Sequence, residues 1–250
     1  MRVTPIVLCV SLFVTALTPR IVSQTPVHTS RLDTNLKEVR TEKETIYYRE
    51  ANQREDGTYG VRINYRNGLL KMLGQYQDEK LSVETGHFEF YFANGVKESE
   101  GMYSSGFKIG TWKRWDYEGN PRPDRVYPDE IADRTLPVTI PAQFPGGDSA
   151  LAAYVEENLV YPEAAIKQVI QGVVYVAFQI NVEGHIQQVD VIEGANYYLD
   201  REAVRMIHAM PAWLPATRNG EPRDSQFILP ITFNLEHYAV QKSNPANPAK

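Results

Sequence analysis

The stretch Gly172-Val173-Val174-Tyr175-Val176-Ala177-Phe178-Gln179-Ile180-Asn181-Val182-Glu183-Gly184-His185-Ile186 decides the reading of the C-terminal part of this chain. Val174, Val176, Phe178, Ile180 and Val182 alternate strictly, which predicts a β-strand with one buried face. Glu183-Gly184 reverses the chain. Ile186, Val189 and Val191 continue on a second strand, and the odd gap between Ile186 and Val189 predicts a bulge.

Upstream, Asp148 is placed to cap a helix whose apolar face is Leu151, Tyr154, Val155 and Leu159. Pro162 suits the first position of a second short helix running through Lys167. Downstream, Asp200 is expected to cap a helix carrying Ala203, Val204, Ile207 and Met210, which Pro211 ends. After a turn at Asn219-Gly220, Phe227, Leu229, Ile231, Phe233 and Leu235 alternate as a final strand. Pro230 lies within that strand on the opposite face. A central strand would lose a ladder bond there, so this strand is expected to have a free edge. A free edge is a template for another chain's strand. Phe227, Ile228, Leu229, Pro230, Ile231, Thr232, Phe233 and Asn234 are therefore the candidate partner-binding residues.

Nothing in the sequence points to catalysis, a cofactor or a metal. His28, His87, His185, His208 and His237 show no ligand spacing. Gly147-Asp148-Ser149-Ala150-Leu151 departs from a nucleophile elbow at Leu151 and reads as a helix start. Trp213, between Pro211 and Pro215, reads as a core plug whose indole N–H needs a partner. The formal net charge of −5 argues against nucleic-acid binding.

Residues 58–120 repeat. Asn67-Gly68, Asn94-Gly95 and Gly119-Asn120 mark similar turns, their glycines spaced 27 and then 24 residues apart. Seven residues before each turn glycine stands Val61, Phe88 or Trp112. Six residues after the first two stand Gly74 and Gly101, followed by Tyr76 and Tyr103. Asn-Gly between alternating apolar residues predicts a hairpin with both central residues at positive φ. The fixed period predicts a stacked array. Lys108, Lys113 and Arg114 read as solvated charges on its surface.

Residues 25–57 read as a lead-in with one strand near Thr45-Ile46-Tyr47-Tyr48. Residues 121–145 hold Pro121, Pro123, Pro128, Pro137, Pro141 and Pro145 and read as a semi-stiff linker. Residues 239–250 read as a disordered tail. At the N-terminus, Arg2 precedes an apolar run from Ile6 to Leu17 and then Thr18-Pro19-Arg20, the layout of a signal peptide over residues 1–24. As a helix the run spans about 18 Å, short of the ~30 Å hydrocarbon core, so a leader fits better than a membrane anchor. Cleavage after Ala16 or after Ser23 is compatible with the sequence. The sole cysteine, Cys9, lies inside this run, so removal of the leader leaves no disulfide. That composition suits a periplasm-like space.

The pattern Tyr161-Pro162-Glu163-Ala164-Ala165, Gly172 to Phe178, Gly184-His185-Ile186, Pro211-Ala212-Trp213-Leu214-Pro215 and the aromatic last strand resembles the TonB C-terminal domain. Phe144-Pro145-Gly146-Gly147 and Met210-Pro211-Ala212-Trp213 resemble the version common in Bacteroidota. Ala216 stands where that family usually has glycine. The segment Gly101-Met102-Tyr103-Ser104-Ser105-Gly106-Phe107-Lys108-Ile109-Gly110-Thr111-Trp112 resembles the MORN repeat. Together these imply an α+β TonB-like domain over 146–238, a small antiparallel sheet packed with helices, preceded by an all-β hairpin array. The TonB resemblance further implies an exported envelope protein that pairs with outer-membrane transporters, driven by ExbB–ExbD where anchored in the inner membrane. The short apolar run and the position of the proline-rich stretch depart from that pattern. They leave open a secreted periplasmic or surface adaptor without energy coupling.

Overall fold

The computed structural model describes residues 28–129 and 138–243. The expected leader, and residues 244–250 of the expected tail, lie outside the described residues. The fold is α+β. Strands β1 (His28–Leu32), β2 (Glu38–Val39), β3 (Tyr47–Gln53), β4 (Tyr59–Tyr65), β5 (Leu70–Tyr76), β6 (Glu84–Tyr91), β7 (Lys97–Ser104), β8 (Phe107–Trp115) and β9 (Pro121–Tyr127) form one antiparallel nine-stranded sheet in the order β2-β1-β3-β4-β5-β6-β7-β8-β9.

Two expectations about segment boundaries change here. The lead-in contributes β1 to β3 to this sheet. The proline-rich stretch begins as β9, its outermost strand, where Pro121 and Pro123 can sit without breaking a central ladder.

The repeat has a physical basis in this sheet. Large apolar residues face glycines across two of its ladders, Val61 opposite Gly74 and Phe88 opposite Gly101, while Trp112 stands opposite Arg125 on the outermost strand. Val61, Phe88 and Trp112 are all buried. The rings of Phe88 and Trp112 interlock with the tyrosines of the repeat: Phe88 meets Tyr76 at 5.6 Å and Tyr103 at 4.7 Å, and Tyr103 meets Trp112 at 5.2 Å between centroids.

The turns differ from the expected form. Gly68, Gly95 and Gly119 have φ of 83°, 85° and 88°, while Asn67 and Asn94 stay at negative φ. Each glycine amide donates to the carbonyl three residues back: Tyr65, Phe92 and Asp116. Asn67 Oδ1 and Asn94 Oδ1 accept from the amides two residues on. This is a three-residue loop closed by a left-handed glycine, not the two-residue type I′ turn.

The C-terminal part starts with β10 (Thr139–Ile140), α1 (Gly147–Asn158) and α2 (Glu163–Lys167). It continues with β11 (Gly172–Ile180), β12 (Ile186–Glu193), α3 (Tyr197–His208), β13 (Ala216–Arg218), β14 (Glu221–Arg223), β15 (Ser225–Phe233) and α4 (Leu235–Ser243). The main sheet has the order β12-β11-β15, and β10-β13-β14 form a second small sheet. The end of the expected linker is thus strand β10, paired with β13. Part of the expected tail is helical in α4, and Leu235 opens that helix instead of closing the last strand.

Helix starts also differ in detail. Gly146, at φ 87°, precedes α1 without a side-chain cap. Asn196, not Asp200, caps α3 by accepting from Tyr198 N. Asp200 reaches back to accept from Ala195 N at 2.9 Å. The expected bulge falls at Gln188, which has φ 48°, beside a register shift in the β11–β12 ladder.

One face of β11 and β15 packs on the helices: Val174, Val176, Phe178, Ile180, Ile231 and Phe233 share a core with Leu199, Ala203, Met206 and Ile207. The opposite face is covered too. Tyr175, Ala177, Ile192 and Ile228 share a core with Val61, Ile63, Met72, Phe88 and Trp112 of the nine-stranded sheet. Alternation predicted one buried face for β11, yet Val174–Ile180 are buried without interruption, because the array covers the second face.

Polar contacts pin the two layers together. Arg66 forms a bidentate pair with Glu193, at 2.8 and 3.1 Å, and also donates to the carbonyls of Thr45 and Glu42. Its guanidinium lies 4.1 Å from the ring centroid of Tyr175. The Tyr117 hydroxyl donates to Asp190, Gln188 bonds Glu118 at 2.7 Å, and Arg122 bonds Asp224 at 2.9 Å.

Candidate partner-binding edge

Strand β15 pairs with β11 over its whole length, from Gly172 opposite Phe233 to Ile180 opposite Ser225. Among the described residues it has no strand on its other side. Its residues divide by parity. Ile231 and Phe233 are buried and Phe227 and Leu229 half-buried toward the helices, while Ile228 is buried toward the array. Pro230, Thr232 and Asn234 are exposed. The eight candidate residues therefore form one continuous segment in which every second residue beyond Ile228 faces solvent.

Pro230 sits opposite Tyr175. It has no N–H, so it tolerates a ladder position whose amide would point away from the partner strand. Amide direction alternates along a strand as side-chain direction does. The amides of Ile228 and Thr232 therefore share that outward direction, and those of Leu229, Ile231 and Phe233 serve β11.

The opposite edge of the sheet offers less. β12 carries the bulge at Gln188, which breaks its regular ladder. Asp190 and Glu193 on it are taken by Tyr117 and Arg66 of the array.

Trp213 plugs the core beside this strand. Its ring lies 4.8 Å from Phe227, 5.5 Å from Phe144 and 5.6 Å from Phe178. Its backbone amide donates to Gly184 O at 2.8 Å. The expectation that its indole N–H would find a partner is not met among the described residues.

His87, Glu89 and Glu100 are the group whose ligand atoms approach each other most suggestively for a metal. The Lys97 ammonium already fills the role of cation there, 3.1 Å from Glu89 and 2.7 Å from Glu100. No helix among the described residues is long and apolar enough to cross a membrane.

Residues 157–235 match the protein family described as Gram-negative bacterial TonB protein C-terminal. The NMR solution structure of Helicobacter pylori TonB-CTD (residues 194–285) is 22% identical, covering 35% of this chain and 92% of that one, with a TM-score of 0.28. No curated protein matches the chain. The TonB-like domain thus holds the whole of the β12-β11-β15 sheet, and the nine-stranded array lies outside the matched residues.

Sequence reading missed the layer that joins the array to this domain. The signal was present in Tyr175 and Ala177, apolar residues on the face of β11 that alternation assigned to solvent. It also misplaced Lys108, which lies under aromatic rings instead of in water, its Nζ 3.6 Å from the Trp112 centroid.

Proposed function

We propose that the chain is a TonB-like cell-envelope protein that holds an outer-membrane transporter by strand pairing along the free side of β15. The observation that supports this reading is the open edge of β15, with Pro230, Thr232 and Asn234 exposed on it. A partner strand would bond the outward groups of Ile228 and Thr232 and the amide of Asn234, whose carbonyl accepts from Tyr238 N, and Pro230 would fix the register by offering a carbonyl but no amide. Each such bond contributes about 0.5–1.5 kcal/mol net. After the cost of association that leaves weak, reversible capture, which suits a coupler that engages and releases. The domain works here as a binding surface, not an enzyme.

Titration of the labelled protein with a peptide from the periplasmic face of a transporter tests the reading. Amide shifts concentrated at Ile228, Thr232 and Asn234 are the expected result. Shifts confined to β12, or none at millimolar peptide, would overturn it.

A second reading, an exported adaptor without energy coupling, draws support from the array packed on the domain. A sheet face filled by a folded module suits a fixed scaffold better than a freely swinging arm. The mass of the native N-terminus separates the two. A mature chain beginning after Ala16 or Ser23 supports the adaptor; a retained apolar segment supports coupling through ExbB–ExbD.

A further inference from the structure

A cleft of about 400 Å³ opens between the array and the β11–β12 turn of the TonB-like domain. It is the size of a small-ligand site. Its walls carry six cations, Lys71, Lys108, Arg114, Arg122, Arg125 and Arg223, against two carboxylates, Glu98 and Asp224. Asp224 is already bonded to Arg122. In a chain of net charge −5, this is a concentrated positive surplus placed inside the fold. No salt bridge to Arg114, Arg125 or Arg223 occurs among the described residues.

The cations strain against each other. Burial, and then the neighbouring Arg218, Arg125 and Arg114, press the Lys108 ammonium down to about 8, with Glu98 opposing. Burial followed by Arg125 and Arg122 lowers Arg114 as well. Aromatic faces hold Lys108 in place: Trp112 at 3.6 Å, and Phe90, Tyr103 and Tyr127 within 6.0 Å. Like charges gathered at a half-enclosed surface cost folding energy, and an anion relieves that cost while gaining several charge-assisted hydrogen bonds at once. Guanidinium forks suit oxyanions, which they grip bidentately.

We infer that this cleft is a binding site for a small, multiply charged oxyanion, held by Arg114, Arg125 and Arg223 with Lys108 beneath it. Phosphate groups and clustered carboxylates share this chemistry, and the cleft's volume limits the ligand to a compact molecule. The cleft reaches Ser225 and Gln226 at the start of β15 but none of the candidate edge residues from Phe227 to Asn234, so the inference does not depend on transporter binding.

Calorimetric titration of the full chain with sodium pyrophosphate and with sodium citrate, at about 0.05 M salt, tests the inference and distinguishes the two sources of charge. Trp112 and Trp115 line the cleft, so tryptophan fluorescence should change with saturation. Binding of either probe with Kd well below about 1 mM is expected, weakening as salt rises. Combined Arg114→Gln and Arg125→Gln should weaken it tenfold or more while leaving the unliganded protein at least as heat-stable as wild type. Combined Lys167→Gln and Arg201→Gln, which remove equal charge from exposed helix positions, should change it less than twofold. If neither probe binds the wild-type protein at millimolar concentration, or if both double variants weaken binding equally, the inference fails.

Discussion

Gly101 lies directly beneath the indole of Trp112: a Cβ on Gly101 would stand 2.5 Å from both Cδ2 and Cε2 of that ring. The same relationship recurs one repeat earlier, where a Cβ on Gly74 would meet the Phe88 ring at 2.2 Å. Neither glycine is needed for a positive φ. They are glycine because an aromatic ring from the next hairpin occupies the space of a side chain. Gly101→Ala should therefore destabilise the protein by about 1–3 kcal/mol through overpacking, read as a lower urea midpoint. Trp112→Phe alone should also destabilise, but combining it with Gly101→Ala should cost less than the sum. Full additivity would show that the pair does not pack as described.

Arg66 is the most buried of the polar fasteners named between the array and the TonB-like domain. Its side chain is 8% exposed, and it engages Glu193 together with the carbonyls of Thr45 and Glu42. Arg66→Ala would leave those acceptors unsatisfied at the seam. Glu193 is 41% exposed, and solvent screens its share, so the expected loss is about 1–3 kcal/mol. Scanning calorimetry should show the unfolding peak broaden or split. An unchanged single peak would mean that Arg66 does not hold the two layers together.

Proline substitutions separate the two sides of β15. Thr232→Pro removes an amide that points away from β11, so the fold should persist while peptide capture is lost. Phe233→Pro removes a buried ring and a bond to β11 opposite Gly172, and should cost about 3 kcal/mol or more. Circular dichroism and peptide binding on both variants check this. Intact capture by a folded Thr232→Pro protein would remove β15 as the docking strand.

Lys108 gives a pH signature with a defined sign. Its folded pKa of about 8 lies below its ordinary 10.5, so the unfolded chain binds more protons between those values. Stability attributable to this residue therefore rises with pH across that window, and its cost is fully present below pH 8. By linkage, a shift of that size corresponds to a penalty on the order of 3 kcal/mol near pH 7. Lys108→Met should thus stabilise the protein at pH 7, and the gain should shrink as pH climbs toward 10.5. A constant difference between variant and wild type, measured by urea denaturation at several pH values, would contradict this assignment.

Much of the architecture was legible in residue patterns because those patterns answer to local rules. Alternation from Val174 to Ile180 and from Phe227 to Phe233 set two strands of the C-terminal sheet. The spacing of Gly68, Gly95 and Gly119 set the hairpin array, and Pro230 marked the edge strand. Turn type was misread, since Asn-Gly serves both the two-residue loop and the longer loop found here. Asn219-Gly220, with φ of 53° and 84°, is the two-residue form. Only the ladder on either side decides between them.

The sequence by itself determined an α+β C-terminal domain, a β-hairpin array before it, and a last strand that cannot lie at the centre of a sheet. Each of these depends on periodicity or on a missing N–H, properties carried by short stretches of chain. The tertiary structure alone decided that the array covers the second face of β11, that Arg66 meets Glu193 127 residues away, and that Lys108 and Arg114 face Arg125 and Arg223 across one cleft. Those relationships join residues distant in the chain, and their energies arise from burial and from charges brought close, which no local pattern encodes.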